Sequence, residues 1–500
     1  MSNPRLDRRA LLLAGTGTIA TADLVNVEPA AAGTTTTKVF KGHFGPANDT
    51  DWHYLPFHVP AGVREIEVSY THDPPRDTGM GFSQNVIDLG IFDSSGIGLG
   101  NAAGFRGWSG GSRDRFRISR SAATPGYLAG PITPGRWRIV LGPYQIVSRT
   151  DYVVTIKLHH GRPGPRFAPT PALTTIPGTG PGWYRGDLHV HTVHSDGSQT
   201  QKQVLDDAVA AGLDFIGSSE HNTSSAQLTW GKHLTPEHAG FLVIPGEEVT
   251  TRAGHWLAAG LPAGTWIDWR YRPETSNDNA ELARFTQQVR AVGGLAIAAH
   301  PRIPVPSIRW DFDDDFAHMD AIEVWNGPWD GFDALALSAW HRLLLAGTFI
   351  PAVGNSDSHN SGQQIGLAQT VVRAEALSVD AIIAGYRGGH SWITGSSDVD
   401  LDFTATLGAV TGSCGDTVPS TAADTVAVRL EVTGVPDGAV ATLIGRSGVL
   451  GTSTAVDGTI RLDTTVAGGA AFVRAEVKQG SVMVALTNPI FLAVRPSSAE

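Results

Sequence analysis

Between residues 183 and 397, six short apolar runs (187–190, 214–217, 241–245, 295–298, 321–324 and 350–353) alternate with segments of helical periodicity at 201–211, 279–292, 335–345 and 379–386. In the first helical segment Val204, Leu205, Ala208 and Val209 share one face. Strand–helix alternation of this kind winds into a parallel sheet or a (β/α) barrel, and such folds carry function at the carboxyl ends of their strands. The chain to either side has another texture. From 38 to 160, runs such as 65–70, 137–141 and 152–156 alternate with period two and are broken by Gly and Pro, which predicts a β-sandwich or jelly roll. Residues 161–182 read as a stiff Pro/Gly linker, and from 398 to 500 the strand-and-turn texture returns as a second β-sandwich. The expected class is therefore α/β, a 183–397 barrel flanked by two β-sandwiches. A length of 500 residues agrees with about three domains at roughly 150 residues each.

Composition narrows the chemistry. There are 18 His and a single Cys, Cys414, so a disulfide framework, a thiolate zinc site and an iron–sulfur cluster are excluded within one chain. The formal net charge of −11 lacks the basic footprint of duplex binding, and no nucleic-acid partner is expected. At the N-terminus, Arg5, Arg8 and Arg9 precede an uncharged stretch from Ala10 to Ala22 that is too short to span a bilayer of about 20 residues. Residues 1–32 read as a signal peptide ending at Ala30-Ala31-Ala32, and Asp7-Arg8-Arg9-Ala10-Leu11-Leu12 resembles a twin-arginine export signal. Export to the periplasm, cell surface or medium follows as an expectation. No later segment is apolar for long enough to suggest stable membrane insertion.

Within 183–397, polar residues recur where apolar runs end. His189 and His191 stand two residues apart, so on a strand both would face one side; Asp196 follows five residues later. Later runs end in Ser219-Glu220-His221, in Gly246-Glu247-Glu248 with Gly254-His255 beyond, in His300-Pro301-Arg302, and in Asp357-Ser358-His359. Strand ends of a barrel converge on one pocket, and imidazoles with carboxylates are ligands of zinc, manganese and iron.

In this order the residues resemble the polymerase and histidinol phosphatase (PHP) family, whose fold is a distorted (β/α)7 barrel holding two or three metal ions. His189, His191, Asp196, His221, Glu248, His255, His300, Asp357 and His359 fill the family's ligand positions in sequence. The stretch 186–197, the Gly-His after the glutamate and 323–327 are similar to the CehA/McbA-like branch, which includes hydrolases of aryl carbamate esters. Ser219-Glu220-His221 stands where many relatives have Thr-Asp-His, and Glu247 remains an alternative to Glu248 as the bridging residue.

The resemblance implies one ion on His189, His191, Glu248 and Asp357, a second on Glu248, His255 and His300, and a third on Asp196, His221 and His359. Two or three divalent ions (Zn, Mn or Fe) would make the pocket positive and supply a bridging hydroxide. A small-molecule ester is the expected substrate: a phosphoester, or alternatively a carboxyl or carbamate ester. His194 is a candidate proton donor, and Arg302, with Arg185, a candidate anion clamp; Trp325 and Asn326 are candidate pocket residues. A pocket rimmed by Arg would favour phosphate, and one walled by Trp an aromatic ester. Two rivals stand beside these readings. Gly107-Trp108-Ser109-Gly110-Gly111 fits G-x-S-x-G but lacks a following helix, against a serine hydrolase. A metal-stabilised surface binding module is the non-enzymatic alternative, and the presence of every ligand position argues against it.

Overall fold

The computed structural model describes residues 33–46, 52–73, 85–271, 279–305 and 308–492. The expected signal peptide, 1–32, lies outside the described residues.

The N-terminal strands are β1 (Thr35–Phe44), β2 (His53–Val59), β3 (Val63–His72), β4 (Val86–Phe92), β5 (Phe105–Trp108), β6 (Arg115–Ser119), β7 (Gly135–Gln145) and β8 (Thr150–His160). They pair into two four-stranded antiparallel sheets, β1-β8-β3-β6 and β2-β7-β4-β5. Period-two alternation divides their residues. Ile87, Leu89 and Ile91 of β4 and Ile139 and Leu141 of β7 enter a core shared by the two sheets. Phe92 and Val140, on the alternate positions, join a different core with Trp256, Trp266 and Trp269 from the central part of the chain. The second sheet is therefore buried on both faces.

The central elements are β9 (Gly182–Asp187), α1 (Gln201–Ala210), β10 (Phe215–Ser218), β11 (Leu242–Thr251), β12 (Gly254–Ala259), α2 (Ala280–Ala291), β13 (Leu295–Ala298), β14 (Ala321–Asn326), α3 (Gly331–Ala346), β15 (Ala352–Asn355), β16 (Gln369–Ala374), α4 (Val379–Gly388) and β17 (Ser391–Thr394). Each helix sits where the periodicity predicts one. Caps set their ends: Thr200 and Gln203 form a capping box on α1, Asp330 caps α3, and Gly347 closes α3 in the left-handed conformation.

The result is a strand-rich mixed α/β fold. The pairs β9–β10, β10–β11, β13–β14 and β14–β15 are parallel, whereas β12 lies antiparallel between β11 and β13. The regular strand–helix alternation expected of a (β/α)7 barrel is broken in four places: among the described residues no α-helix stands between β10 and β11, β11 and β12, β13 and β14, or β15 and β16. Residues 219–241 form short 3-10 turns rather than a helix, and only Arg252 and Ala253 separate β11 from β12, too few for a crossover. The strand ladder is not closed either: β15 ends the sheet and meets the chain after β9 through one parallel bridge, Val190–Ser358. On the other side the sheet continues through β16 and β17 to the C-terminal strand Val482–Thr487. Phe472, Met483, Leu486 and Phe491 join the same core as the central tryptophans. No helix among the described residues is long and apolar enough to cross a membrane.

Candidate metal centre

All nine residues singled out as ligands converge where β9, β10, β11, β13 and β15 end. His189 and His191 lie just beyond β9 rather than within it, in chain that still places their ring centroids 5.1 Å apart. Glu248 is central. Its Oε2 stands 3.2 Å from His189 Nε2, 3.3 Å from His191 Nε2 and 2.8 Å from His221 Nδ1, while Oε1 stands 2.9 Å from His255 Nδ1 and 3.3 Å from His300 Nε2. Asp357 Oδ1 lies 3.2 Å from His189 Nε2 and 3.1 Å from His191 Nε2. Asp196 faces His221 and His359 at 3.5 and 3.4 Å. Glu247 points to the opposite face of β11, where its Oε2 accepts from Ile267 N at 3.1 Å. Alternation along the strand thus gives the bridging position to Glu248.

The ligand atoms form four compact groups: His191, Asp196, His221 and His359; His189, His191 and Glu248; His189, His300 and Asp357; and Glu248, His255 and His300. His191 belongs to two of them, so the separation into three ion sets expected from the family is less sharp than the sequence implies. Six atoms decide whether metal fits. His189 Nε2, His191 Nε2, His255 Nε2, His300 Nδ1, Glu248 Oε2 and Asp357 Oδ1 are buried and make no hydrogen bond. Unsatisfied buried nitrogens and carboxylate oxygens at one point are costly as side chains alone and are the donor set of a borderline divalent cation. The donor set fits divalent ions of this kind.

Electrostatics agree. Burial raises the Glu248 carboxyl, yet His221, His189 and His255 together hold it well below the usual range. Asp357 is likewise held low against its burial by His189 and His191. Burial pushes His221 down, but Glu248 and Asp196 carry it up to about 10. Proton uptake by imidazoles is the compensation the side chains themselves offer to the carboxylates, and a cation replaces it.

A second layer of buried carboxylates fixes the first, and sequence reasoning had missed most of it. Glu323 on β14 accepts from His189 Nδ1 at 3.1 Å and Asn355 Nδ2 at 2.8 Å, and its other oxygen takes His300 N at 2.7 Å. Asp187 accepts from the backbone of His189 and Ser356, and Glu220 from Ser195 Oγ and Thr192. Glu323 had a signal, since it interrupts the apolar run 321–324; Asp187 opens its run and had none. Gly197 allows the loop to turn back: a Cβ there would sit 2.6 Å from the His191 carbonyl. Backbone strain also gathers here. Among the described residues six non-Gly positions have positive φ, and Asn222, His300 and Asp357 are three of them.

The cleft over the cluster holds about 480 Å³. One wall comes from the N-terminal strands and their loops: Trp52, Asp88, Trp108, Ser109 and Tyr144 line it, opposite Arg252 and Trp269. Ser109, the serine of the G-x-S-x-G pattern, is part of that wall, and its hydroxyl is held by Tyr127 Oη at 2.8 Å.

The two residues expected to act beside the ligands are not brought into this cleft. His194 lines a separate cavity with Gln201 and His233, bonds Ser225 Oγ through Nδ1 at 2.8 Å, and is pushed down to about 4 by burial. The turn Thr192–Ser195 points it away from Asp196, its near neighbour in sequence. Arg302 pairs with the exposed Asp314 at 2.9 Å and lines a small cavity on the far side of His300. Arg185 runs along β9 to the Val399 carbonyl, away from the strand's carboxyl end. Trp325 is buried against Trp329, and Asn326 donates to Glu323 at 2.9 Å.

No family model matches the chain. Part of it is 28% identical over 158 residues to an uncharacterized protein of Methanocaldococcus jannaschii, covering 28% of this chain and 81% of that one. Another stretch is 38% identical over 84 residues to a phosphoribosyl 1,2-cyclic phosphate 1,2-diphosphodiesterase of Eggerthella lenta, covering 16% of this chain and 31% of the enzyme, so under a third of its length is spanned. Among solved structures, a two-domain Bacteroides vulgatus protein containing a predicted PHP-like metal-dependent phosphoesterase aligns at 18% identity and TM-score 0.34, over 67% of this chain and 98% of its own. A Chromobacterium violaceum amidohydrolase with bound sulfate and no metal aligns at 17% identity and TM-score 0.28, over 41% and 96%. The chain is thus similar in part to a phosphodiesterase and, over its central strands, carries a nine-residue cluster fitted to divalent metal.

Proposed function

We propose that the chain is a metal-dependent hydrolase of ester bonds, with phosphoesters as its substrates. The observation that carries this reading is the set of six buried donor atoms left without hydrogen bonds around Glu248. When bound, the metal ions supply an activated water and polarise the ester. The protein's own residues do the rest. Glu323 fixes the ring of His189, Ser195 that of His191 and Thr250 that of His221, each through Nδ1. The tryptophan wall keeps bulk water from the ester and gives a flat substituent a surface. The partial likeness to a cyclic-phosphate diphosphodiesterase supports a phosphoester.

A second reading, an aromatic carboxyl or carbamate ester, is favoured by the same wall. Trp52, Trp108 and Trp269 border the cleft, and the one arginine lining it among the described residues, Arg252, already faces Asp88. Export through residues 1–32 and two β-sandwiches flanking a PHP-type barrel belong to the same proposal; the mature protein is expected in the extracytoplasmic fraction.

The test is turnover by protein stripped with chelator and reloaded with Zn, Mn or Fe in turn. Metal-dependent hydrolysis of p-nitrophenyl phosphate or bis(p-nitrophenyl) phosphate is the expected result. Hydrolysis confined to p-nitrophenyl acetate or an aryl carbamate would select the second reading. Tightly bound metal with turnover of none of these esters would leave a binding module.

A further inference from the structure

Asp88 is out of place for its surroundings. It sits on β4, where Ile87, Leu89 and Ile91 face the N-terminal core, so Asp88 takes the face turned to the central strands. Phe92, Phe105, Trp108 and Val140 of the same sheet are apolar and belong to the shared tryptophan core. A carboxyl group on an apolar docking face costs stability unless it is paired or put to use. Asp88 is only 7% exposed, and what exposure it has opens into the metal cleft. Arg252 Nη2 donates to its Oδ2 at 3.4 Å. That guanidinium is fixed between two rings of the N-terminal wall, 4.7 Å from Trp52 and 4.6 Å from Tyr144.

We propose that Asp88, contributed by the N-terminal strands and positioned by Arg252, is the acid that protonates the departing oxygen of the ester. This rests on the hydrolase reading and names a residue for one of its steps. Among the described residues, Asp88 and Tyr144 are the acidic groups lining the cleft outside the candidate ligands. Burial lifts the Tyr144 phenol far above its ordinary value, too weak an acid for the task. Burial raises Asp88 to about 6 even though Arg252 pulls it down, closer to neutrality than an ordinary carboxyl. The groups facing it are Arg252 from the β11–β12 turn, Tyr144 on β7, Tyr70 on β3, and His221 and Asp196 across the cleft.

In the step, the bond between the ester's phosphorus (or acyl carbon) and the leaving oxygen breaks, and its electron pair goes to that oxygen. The Asp88 proton moves to the same oxygen, leaving a carboxylate that Arg252 stabilises. The attacking water forms the new bond and releases a proton, which restores Asp88 through solvent.

The experiment compares metal-loaded wild type with Asp88→Asn on phosphates and, in parallel, acetates of p-nitrophenol, phenol and ethanol. p-Nitrophenolate departs without a proton; the other two leaving groups need one. Asp88→Asn should lose about 10²-fold in kcat or more on phenyl and ethyl esters, and change little on p-nitrophenyl esters. An equal loss on all three, or none, would overturn the assignment and leave the Asp88–Arg252 pair a docking contact. A second measurement needs no variant: with wild type, kcat on phenyl esters should fall as pH rises through the Asp88 range while the p-nitrophenyl profile lacks that limb, and matching profiles would overturn the assignment as well. A wild type that turns over no ester would overturn the hydrolase reading and this step with it.

Discussion

Single carboxylates set the behaviour of this centre. Glu323 holds both the ring of His189 and the backbone of His300, so Glu323→Gln, which can donate where Glu323 accepts, disturbs two donors at once. Its expected effect is a 10- to 100-fold loss of metal affinity, read by titration against a competing chelator. His191 stands in two of the four donor groups and Asp357 opposes two imidazoles. His191→Ala or Asp357→Ala should therefore abolish turnover and lower bound metal while leaving the β-sheet circular dichroism unchanged; full activity in metal-free His191→Ala would remove the mechanism. The histidine and aspartate pattern was readable because metal ligands are polar residues at the ends of apolar runs. His194 and Arg302 were misplaced by the same logic, since nearness in sequence to a ligand says nothing of which way a turn carries the next side chain.

At the scale of the element, β11 distributes two adjacent glutamates to opposite faces. Glu248 enters the metal cluster, and Glu247 is buried on the far side, its carboxyl raised well above the ordinary value by burial. A neutral Glu247 is nearly isosteric with glutamine, so Glu247→Gln should retain metal and activity, whereas Glu248→Gln should lose both; metal content by elemental analysis separates them. Helix positions were legible from 3.6-residue periodicity and caps. The antiparallel insertion of β12 was not, because Gly254-His255 and the apolar residues after it read equally well as the start of a loop or of a strand, and only the partner strands β11 and β13 decide.

For the whole molecule, the three regions of differing texture share one tryptophan-rich core, and their junctions carry buried charge. Arg474 on the C-terminal strand Phe472–Gln479 lies 5.3 Å from the Trp340 ring of α3 and pairs with Glu476 at 2.7 Å. Burial raises the Glu476 carboxyl, but Arg474 and Lys478 outweigh it and hold it below its ordinary value. Its contribution is then present above the unfolded value near 4.5 and is lost as pH falls through the lower folded value. Glu476→Gln should lower Tm at neutral pH and reduce the drop in Tm on acidification, measured by calorimetry across that window. The sequence by itself determined the local texture of each region, the helices and the chemistry of the metal donors, because periodicity and ligand type are properties of residues near in the chain. Only the tertiary structure decided which glutamate faces the metals, that His194 and Arg302 stand outside the cleft, and that the N-terminal strands and loops supply its wall with Trp52, Asp88 and Trp108. Those outcomes depend on which sheet faces pack together, and buried apolar area fixes that packing without direction in sequence.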